Sequence, residues 1–314
     1  TQPLPLQISQ PTLFPTRVIR SVLGDDSSLR DAYRIFLALD FTDLPKNRGD
    51  LWKISVFNNL LYFHMEESIL RTKGKQVMEM KDGSEAFVGS GDLFAQAPEE
   101  ILQTTKGYGG TQAQFATCVG EWGYFYVDQK NLTVYLLAND LKDISSLGLN
   151  KWFQANLPYK LSRYGVKSFP DNPFTFGFVS VYDEKFNRVL LTKRELSPTP
   201  QFQERWERFN YSTTVNDPGG MIRYNPRCDC FEIRGPQQFD GPSVFGATVQ
   251  QQPWQPIEMI EGEQTFTWFE SNSATEGPFV PNSGEELTVT VTLFVNDGWT
   301  ASYSTSLNAW ISFH

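Results

Sequence analysis

Few side chains in this sequence of 314 residues have the types and spacing that catalysis or metal binding requires. The two histidines, His64 and His314, are too few for a histidine-based zinc site. Cys228 and Cys230 are two residues apart, and on a strand their sulfurs would share one face. No second cysteine pair or nearby histidine completes a set of four ligands, so we predict no metal site. The odd total of three cysteines, with Cys118, favours structural thiols and a reducing environment over a disulfide framework.

The most conspicuous glycine cluster is Gly107-Tyr108-Gly109-Gly110-Thr111-Gln112. A phosphate-binding loop would need a preceding strand, a following helix and a lysine before the serine or threonine. No lysine precedes Thr111, and the next residues are typical of a strand. The cluster therefore predicts a tight structural turn, in which only glycine allows the backbone path.

Acidic side chains often occur as adjacent pairs, whose members point to opposite faces of a strand. Such neighbours do not by themselves form the facing carboxyl groups of a glycoside hydrolase, so they predict solvated acidic surface. His64 lies inside an apolar strand with Ser68 as the nearest hydroxyl of interest, which favours a hydrogen-bonded structural histidine. The acidic pairs are Asp25-Asp26, Glu66-Glu67, Glu99-Glu100 and Glu285-Glu286.

Eight tryptophans leave a second function open, because indole rings stack on sugar faces as well as filling β cores and interfaces. A carbohydrate-binding protein or a glycoside hydrolase on a β-propeller scaffold is therefore the alternative to a structural protein. Two carboxylates from distant parts of the chain, set beside an exposed tryptophan in a cleft, would favour it. The aromatic residues that we expect at an interface are Trp152, Phe153 and Trp254.

The composition excludes several classes of protein. Lysine and arginine number 27 against 36 acidic residues, which gives a formal charge of -9. Non-specific nucleic-acid binders are normally basic, since phosphate neutralisation supplies most of their affinity. An aromatic content of 14% is too high for a disordered chain, and no apolar run is long enough for a transmembrane helix. Thr1 stands where an initiator methionine would, which predicts a processed chain or a piece of a longer one.

Alternation of apolar and polar residues with a period of two dominates the chain and predicts antiparallel hairpins. Their turns are rich in asparagine and aspartate, which tolerate left-handed backbone and hydrogen-bond to their own turn. The predicted hairpins are Leu51–His64 with a turn at Phe57-Asn58-Asn59, Trp122–Leu137 with a turn at Asp128–Asn131, Phe176–Thr192 with a turn at Asp183–Asn187, and Met221–Ile233 with a turn at Asn225-Pro226-Arg227.

A further hairpin is predicted near the end of the chain. Leu287–Val295 alternates with threonines, Asn296-Asp297-Gly298 follows, and Trp299–Ser304 alternates again. Asp297 and Gly298 would supply the positive φ angles of a tight turn, and the threonine and serine face would be solvated.

Helices are scarce in the predicted secondary structure. Apolar spacing predicts one helix over Ser145–Leu157, capped by Ser145 or Ser146, and a shorter one over Gln203–Asn210. The polar, proline-bearing stretch Gln250–Pro256 predicts a linker or crossover.

These elements predict a mainly β protein with few short helices. We expect a β-propeller-like domain of antiparallel hairpins with insertions over residues 1–250, incomplete or part of a longer chain, and a small antiparallel β unit over residues 251–314.

The order of several short motifs resembles the tail muzzle or nozzle (stabilisation) proteins of crAss-like short-tailed phages. The resemblance covers about residues 30 to 195. It rests on Gly91-Asp92-Leu93-Phe94, Pro98-Glu99-Glu100-Ile101, the glycine cluster at residues 107–112, Tyr126-Val127-Asp128, Gly148–Phe153 and Val181–Lys193.

The resemblance implies a virion component without an active site, a cofactor or a membrane segment. It implies a ring of copies around the DNA exit channel, in contact with other tail subunits and assembled in the host bacterial cytoplasm. Packaged DNA would pass without tight or specific binding, and the acidic charge would help by repelling phosphate. The glycine, aspartate and asparagine positions would serve structural turns: Gly107, Gly109, Gly110, Asp128, Asp183, Asn187, Asp297 and Gly298.

Overall fold

The protein is mainly β, as the sequence predicts, with several small antiparallel sheets and two α-helices among the residues that the structure describes. The computed structural model describes residues 13–22, 31–72, 76–79, 85–88, 96–101, 109–167, 169, 176–211, 220–235, 238–240, 248–250, 253–269 and 286–313. The chain forms two compact units, Thr1–Ser146 and Leu147–His314, which we call the first and second units.

The first unit is built from short antiparallel strands. Its hydrogen-bonded orders are β1-β2, β3-β4-β5-β8, β6-β7 and β12-β11-β10-β9, and 3-10 helices cover Ala32–Arg34 and Lys46–Arg48. The strands are β1 (Arg17–Ile19), β2 (Phe41–Asp43), β3 (Leu51–Phe57), β4 (Leu60–Met65), β5 (Ile69–Arg71), β6 (Gln76–Glu79), β7 (Glu85–Val88), β8 (Glu99–Glu100), β9 (Thr117–Gly120), β10 (Gly123–Asp128), β11 (Thr133–Leu137) and β12 (Leu141–Asp143).

Turn chemistry fixes the hairpins of this unit where the sequence predicts them. Asn58 and Asn59 have φ angles of 49° and 59°, so the two-residue turn between β3 and β4 has the left-handed backbone that matches the twist of paired strands. Strands β10 and β11 pair from Tyr124 with Leu137 to Asp128 with Thr133. Both predicted hairpins are confirmed.

Strand β4 is buried on both faces, so its side chains serve two cores. Tyr62 belongs to one cluster with Tyr124 and Tyr126 of the neighbouring four-stranded sheet. Phe63 belongs to the other cluster, with Val18 of β1. The sheet containing β4 is thus covered on one face by strands β9 to β12 and on the other by the β1-β2 pair.

The second unit combines antiparallel strands with two α-helices in its described residues. The strand orders are β13-β14-β23-β24, β15-β22-β21, β16-β17-β20 and β18-β19, and a 3-10 helix covers Lys160–Tyr164. The elements are α1 (Asn150–Asn156), β13 (Gly177–Asp183), β14 (Arg188–Arg194), β15 (Leu196–Pro198), α2 (Pro200–Tyr211), β16 (Met221–Asn225), β17 (Cys230–Arg234), β18 (Gln238–Asp240), β19 (Thr248–Gln250), β20 (Gln255–Ile257), β21 (Gly262–Phe269), β22 (Glu286–Asn296), β23 (Trp299–Ser304) and β24 (Ala309–Phe313). The pairs β13-β14 and β16-β17 confirm the hairpins predicted at Phe176–Thr192 and Met221–Ile233.

Helix α2 begins earlier than predicted because its start is well capped. Pro200 occupies the first helical position, where a missing N–H is harmless, and the hydroxyl of Thr199 accepts a hydrogen bond from the Phe202 amide at 3.2 Å. Phe202 is buried, with its ring centroid 5.1 Å from that of Phe231 and 5.3 Å from that of Phe294. The apolar face of α2 therefore packs on two of the sheets.

Helix α1 is shorter than predicted, and neither Ser145 nor Ser146 caps it. Both hydroxyls bond to Asp143 at the end of β12, so they belong to the preceding turn. The helix starts after Leu149, which makes no side-chain cap.

The hairpin predicted for residues 287–304 is wrong, although both of its strands exist. Strand β22 pairs with β15 and β21, whereas β23 pairs with β14 and β24. Gly298 does not have the positive φ that a tight Asp-Gly turn needs. Residues 296–298 instead connect β22 of one sheet to β23 of another. They lie beside the link between β14 and β15, which connects the same two sheets.

Of the two strands predicted to have a solvated face, β22 has one and β23 does not. Thr288 and Thr290 of β22 are exposed, and the Thr290 hydroxyl lies 3.1 Å from that of Thr265 across the pair. Ser302 and Ser304 of β23 are buried, because β23 is a central strand between β14 and β24.

The boundary predicted near residue 250 falls inside the second unit. Strands on either side of it pair with each other, since β14 pairs with β23 and β17 with β20. Two four-stranded sheets of the first unit have the strand number of propeller blades, and the propeller itself stays a prediction.

Candidate functional site

The turn between β10 and β11 is organised by one buried carboxylate, Asp128. Its Oδ2 accepts hydrogen bonds from the Gly110 amide at 3.0 Å and from the Asn131 side chain at 2.7 Å. Its Oδ1 accepts from the Asn131 amide at 3.1 Å and from the Gln112 side chain at 3.3 Å. Burial raises the pKa of Asp128, and these donors act in the opposite direction. We call this arrangement the Asp128 turn.

The described part of the glycine cluster, residues 109–112, connects the Asp128 turn to the end of β4. The Gln112 side chain donates to the Glu66 carbonyl at 2.5 Å and accepts from the Gln129 amide at 2.8 Å. A Cβ on Gly110 would lie 2.5 Å from the Glu66 carbonyl oxygen, so this close approach requires glycine. Gly109 is buried beside it, and Gly107 lies outside the described residues. The segment thus connects the two large sheets of the first unit.

His64 lies in the core of the first unit rather than in a cleft. It is fully buried, and its Nε2 lies 2.8 Å from the hydroxyl oxygen of Tyr124. Burial lowers the pKa of His64 to about 3, so the ring is neutral at neutral pH. Ser68 is also fully buried. The predicted structural role of His64 agrees with these contacts, because no substrate reaches a side chain that solvent does not.

The acidic neighbours expected on a solvated surface form ion pairs, and their side chains stay partly exposed. Oxygens of Glu66 and Glu67 lie 2.9 and 2.8 Å from the Lys130 ammonium. Both residues come after the end of β4, so they are not forced onto opposite faces of a strand. Arg48 binds Glu100 at 2.7 Å, and Arg71 binds Glu99. Asp25, Asp26 and Glu285 lie outside the described residues, as does the Glu286 side chain.

In the second unit, the turn between β13 and β14 is held from both ends. Asp183 accepts from Arg188 at 2.9 Å across the turn, and Asn187 takes the left-handed conformation with φ 47°. The Asn187 carbonyl accepts from both the amide and the hydroxyl of Thr305, at 3.1 and 2.7 Å. This turn is therefore anchored to the end of β23.

A buried ion pair lies where two paired strands pass from one sheet to the next, a place that we call the strand corner (193–196 with 296–299). The Lys193 ammonium is fully buried and donates to Glu195 at 2.7 Å and to the carbonyls of Asn156 and Pro158, each at 2.8 Å. Burial lowers the pKa of Lys193, while Glu195 acts to raise it. The second Glu195 oxygen accepts from the Lys160 amide at 2.8 Å.

The predicted turn residues Asp297 and Gly298 lie on the other strand of this corner. The Asp297 amide donates to the Glu195 carbonyl at 2.8 Å. The Asp297 side chain pairs with the Lys160 ammonium, which lowers the pKa of the Asp297 carboxyl group. A Cβ on Gly298 would lie 2.6 Å from the Lys193 carbonyl oxygen, so glycine is needed for close approach here rather than for a positive φ.

The predicted interface aromatics have contacts within the second unit. The Trp152 ring packs edge-on against Trp299, with centroids 4.7 Å apart, and against Phe313 at 4.6 Å. Phe153 is fully buried, so its side chain is a core residue and the expectation that it lies at an interface is wrong. Trp254 is half-buried under the Arg223 and Arg234 guanidinium groups, 4.0 and 4.5 Å from its ring centre.

The close cysteine pair is a disulfide, contrary to the expected free thiols. Cys228 and Cys230 are bonded to each other, with Cα atoms 5.2 Å apart across Asp229, whose φ is 51°. Ligand-type atoms of both cysteines and Glu232 lie within 4.8 Å of one another. The sulfurs are bonded together and the Glu232 carboxylate accepts from Arg223, at 2.7 and 2.9 Å, so these atoms are already engaged.

The chain is similar to a known protein family over most of its length. A family model described as the crassvirus muzzle protein matches residues 1–228. The chain belongs to this family. The match confirms the resemblance found in the sequence and includes the Asp128 turn and Lys193 and Glu195 of the strand corner. No curated protein matches the chain.

Membership makes the chain a structural component of the phage virion, located in the tail. A muzzle protein has a non-enzymatic role and functions in an assembly with other tail components. Among the residues that the structure describes, no helix is both long and apolar enough to cross a membrane.

Sequence reasoning missed the central pair of this muzzle protein's strand corner. Lys193 and Glu195 are separated by one residue, so on a strand they share a face, and this spacing was the available signal. Charged residues at the end of a hairpin strand are usually solvated, however. These two are buried by distant segments, because β23 pairs with β14 and residues 156–160 supply hydrogen-bond partners.

Proposed function

We propose that several copies of this chain form a ring around the DNA exit channel of the phage tail, with packaged DNA passing through without tight binding. Membership in the crassvirus muzzle family over residues 1–228 is the observation that carries the proposal. A ring requires each copy to present two different surfaces, one to each neighbour. Other tail subunits contact the ring at its ends, and assembly takes place in the host bacterial cytoplasm.

The charge of the chain supports passage of DNA without capture. The formal charge is -9, and a negative wall repels phosphate. Many basic side chains that would otherwise bind phosphate are paired with carboxylates. These include Arg17, Arg20, Arg34, Arg48, Arg71, Lys130, Lys160, Arg188, Arg208 and Arg223.

Rigid turns support a role as a scaffold around a channel. The Asp128 turn and the turn at Asp183–Asn187 both bind a separate segment of their own unit. The Asp128 turn thus joins two sheets of the first unit, and the turn at Asp183–Asn187 joins neighbouring strands of one sheet in the second. We propose that these sheets are blades of a propeller-like domain.

The ring is tested by negative-stain electron microscopy of the purified full chain, with a DNA mobility-shift assay on the same sample. We expect closed rings with a central opening, and no retardation of linear duplex DNA at 150 mM salt. Monomers or open filaments would contradict the ring, and salt-sensitive retention of DNA would contradict free passage. A monomer that hydrolyses a glycan would replace the proposal with the carbohydrate-active alternative.

A further inference from the structure

An antiparallel ribbon covers one face of the sheet that contains β4. We call it the N-terminal ribbon, and it consists of residues 13–22 and 31–43, including β1 and β2. Pairing continues past the two strands, since the Arg20 amide donates to the Asp40 carbonyl at 3.0 Å and the Val22 amide to the Ile35 carbonyl at 2.8 Å. Val18 points inward and is buried against Phe63. The inner side of the ribbon is thus committed to the core.

The rest of the ribbon exposes an unusual density of large apolar side chains. Leu39 is 86% exposed, Tyr33 65%, Phe36 60% and Leu37 55%, within a run of seven residues. Leu13, Phe14 and Ile19 on the opposite strand are also more than half exposed. Single exposed apolar residues are ordinary, whereas a contiguous apolar patch marks a surface that binds a partner.

The area of this patch agrees with what a protein interface needs. The exposed parts of the apolar side chains between Tyr33 and Leu39 sum to on the order of 500 Å². A standard interface buries about 800 Å² on each partner, of which rather more than half is apolar. The ribbon therefore supplies the apolar core of one such interface without help from other segments.

The charges around the patch favour a second copy of this chain as its partner. Each arginine of the ribbon is paired with an aspartate: Arg17 with Asp43 at 2.7 Å, Arg20 with Asp40 at 3.7 Å, and Arg34 with Asp31 at 3.3 Å. The ribbon is therefore locally neutral on a chain whose formal charge is -9. Two acidic copies repel each other least where their contact surface carries no net charge, and the ion pairs form the polar rim of a typical interface.

We propose that the N-terminal ribbon is the surface by which one copy of the chain binds the next, with the apolar side chains from Tyr33 to Leu39 at its centre. This inference rests on the proposed ring, and it names one of the two surfaces that a ring needs. The neighbour covers the patch with a different surface of its own, since a ring requires a head-to-tail contact.

A variant in the patch and a control at an equally exposed phenylalanine test the inference. The variant F36D/L39D places two carboxylates in the patch, and F186D is its control, because Phe186 is equally exposed, at 60%, and lies in the second unit. Sedimentation velocity of the full chain at 1 to 50 μM measures assembly, and circular dichroism with a thermal melt measures folding. We expect wild type and F186D to assemble, and F36D/L39D to remain a folded monomer with an unchanged melting temperature.

The outcomes separate this inference from the proposed ring. Assembly of F36D/L39D at wild-type concentrations would overturn the role of the ribbon and leave the ring standing. A monomeric wild type at all concentrations would overturn both.

A crosslinking measurement keeps the test valid if the double variant fails to fold. A photoreactive benzoylphenylalanine at position 36 should produce a covalent dimer on illumination, and the same group at position 186 should not. Mixing isotope-labelled and unlabelled copies then shows by mass spectrometry that the crosslink joins two copies. Crosslinks confined to a single chain would contradict the inference.

Discussion

Asp128 matters because a single carboxylate accepts hydrogen bonds from three residues in two segments of the first unit. Each of its two oxygens accepts two hydrogen bonds, and the donors belong to Gly110, Gln112 and Asn131. Replacement by alanine leaves these donors without their acceptor in a buried place, so we expect D128A to lower the free energy of unfolding by about 3 kcal/mol or more.

Urea denaturation measures this difference, and D140A is the matched control. Asp140 is exposed in the turn after β11, so its loss should change stability by less than about 0.5 kcal/mol. Equal effects of the two substitutions would show that the Asp128 turn does not stabilise the unit.

His64 lowers the stability of the first unit at acidic pH. Its pKa falls from 6.5 to about 3 on folding because the ring is buried, so the unfolded chain binds the proton more tightly. The contribution of His64 to the free energy of unfolding is fully present above pH 6.5 and is lost as the pH falls toward 3. Between pH 7 and pH 4.5 the loss amounts to about 3 kcal/mol.

The variant H64Q, which keeps a polar group beside Tyr124, should lack this part of the pH dependence. Chemical denaturation of both proteins at several pH values measures it, and the two curves should converge as the pH falls. Parallel curves for wild type and H64Q would contradict a neutral buried histidine.

At the scale of the element, the strand corner depends on the pair Lys193 and Glu195. Removing one partner leaves an unpaired buried charge, so we expect K193M to destabilise the protein by about 3 to 5 kcal/mol. The exposed pair Arg34–Asp31 is the control, and R34M should change stability by no more than about 1 kcal/mol.

The double variant K193M/E195M separates charge from packing. If the unpaired charge causes the destabilisation, the double variant loses less free energy of unfolding than the two single variants lose together. Urea unfolding of all four proteins measures this double-mutant cycle. Strictly additive losses would assign the effect to side-chain volume instead.

The disulfide between Cys228 and Cys230 predicts one free thiol per chain. Alkylation of the denatured, unreduced protein should therefore label Cys118 alone, and three labels would contradict the bond. Because the closed loop is very short, C228S/C230S should lose no more than about 2 kcal/mol of stability. Burial raises the pKa of Cys118 to about 12, so it should react only after unfolding.

How far the sequence predicts these elements depends on the range of the interaction. Asn58, Asn59 and Asn187 sit beside the strands that they connect, so local turn chemistry predicts their hairpins. Asp297-Gly298 has the same local signal and forms no hairpin, because each flanking strand pairs with a distant one. The Gly110 approach to Glu66 and the burial of Lys193 are likewise tertiary, and no pattern within a short window contains them.

For the whole molecule, the net charge predicts how assembly responds to salt. Copies with a formal charge of -9 repel one another, and raising salt from 10 to 150 mM shortens the screening length from about 30 to about 8 Å. If neutral apolar ribbons hold the copies together, sedimentation should show stronger assembly at the higher salt. Dissociation by salt would instead indicate ion pairs between subunits.

The strand corner also affects the order in which the chain folds during synthesis. Arg188 pairs with Ser304 and Leu196 with Asn296, so about a hundred residues separate the partners. In the first unit, β9 to β12 pair with their immediate neighbours and can form as soon as they leave the ribosome. The hydrophobic strand β14 must wait, one edge unpaired, until β23 is translated. Lys193 on that waiting strand and Glu195 directly after it carry charge, which makes premature pairing between nascent chains less favourable.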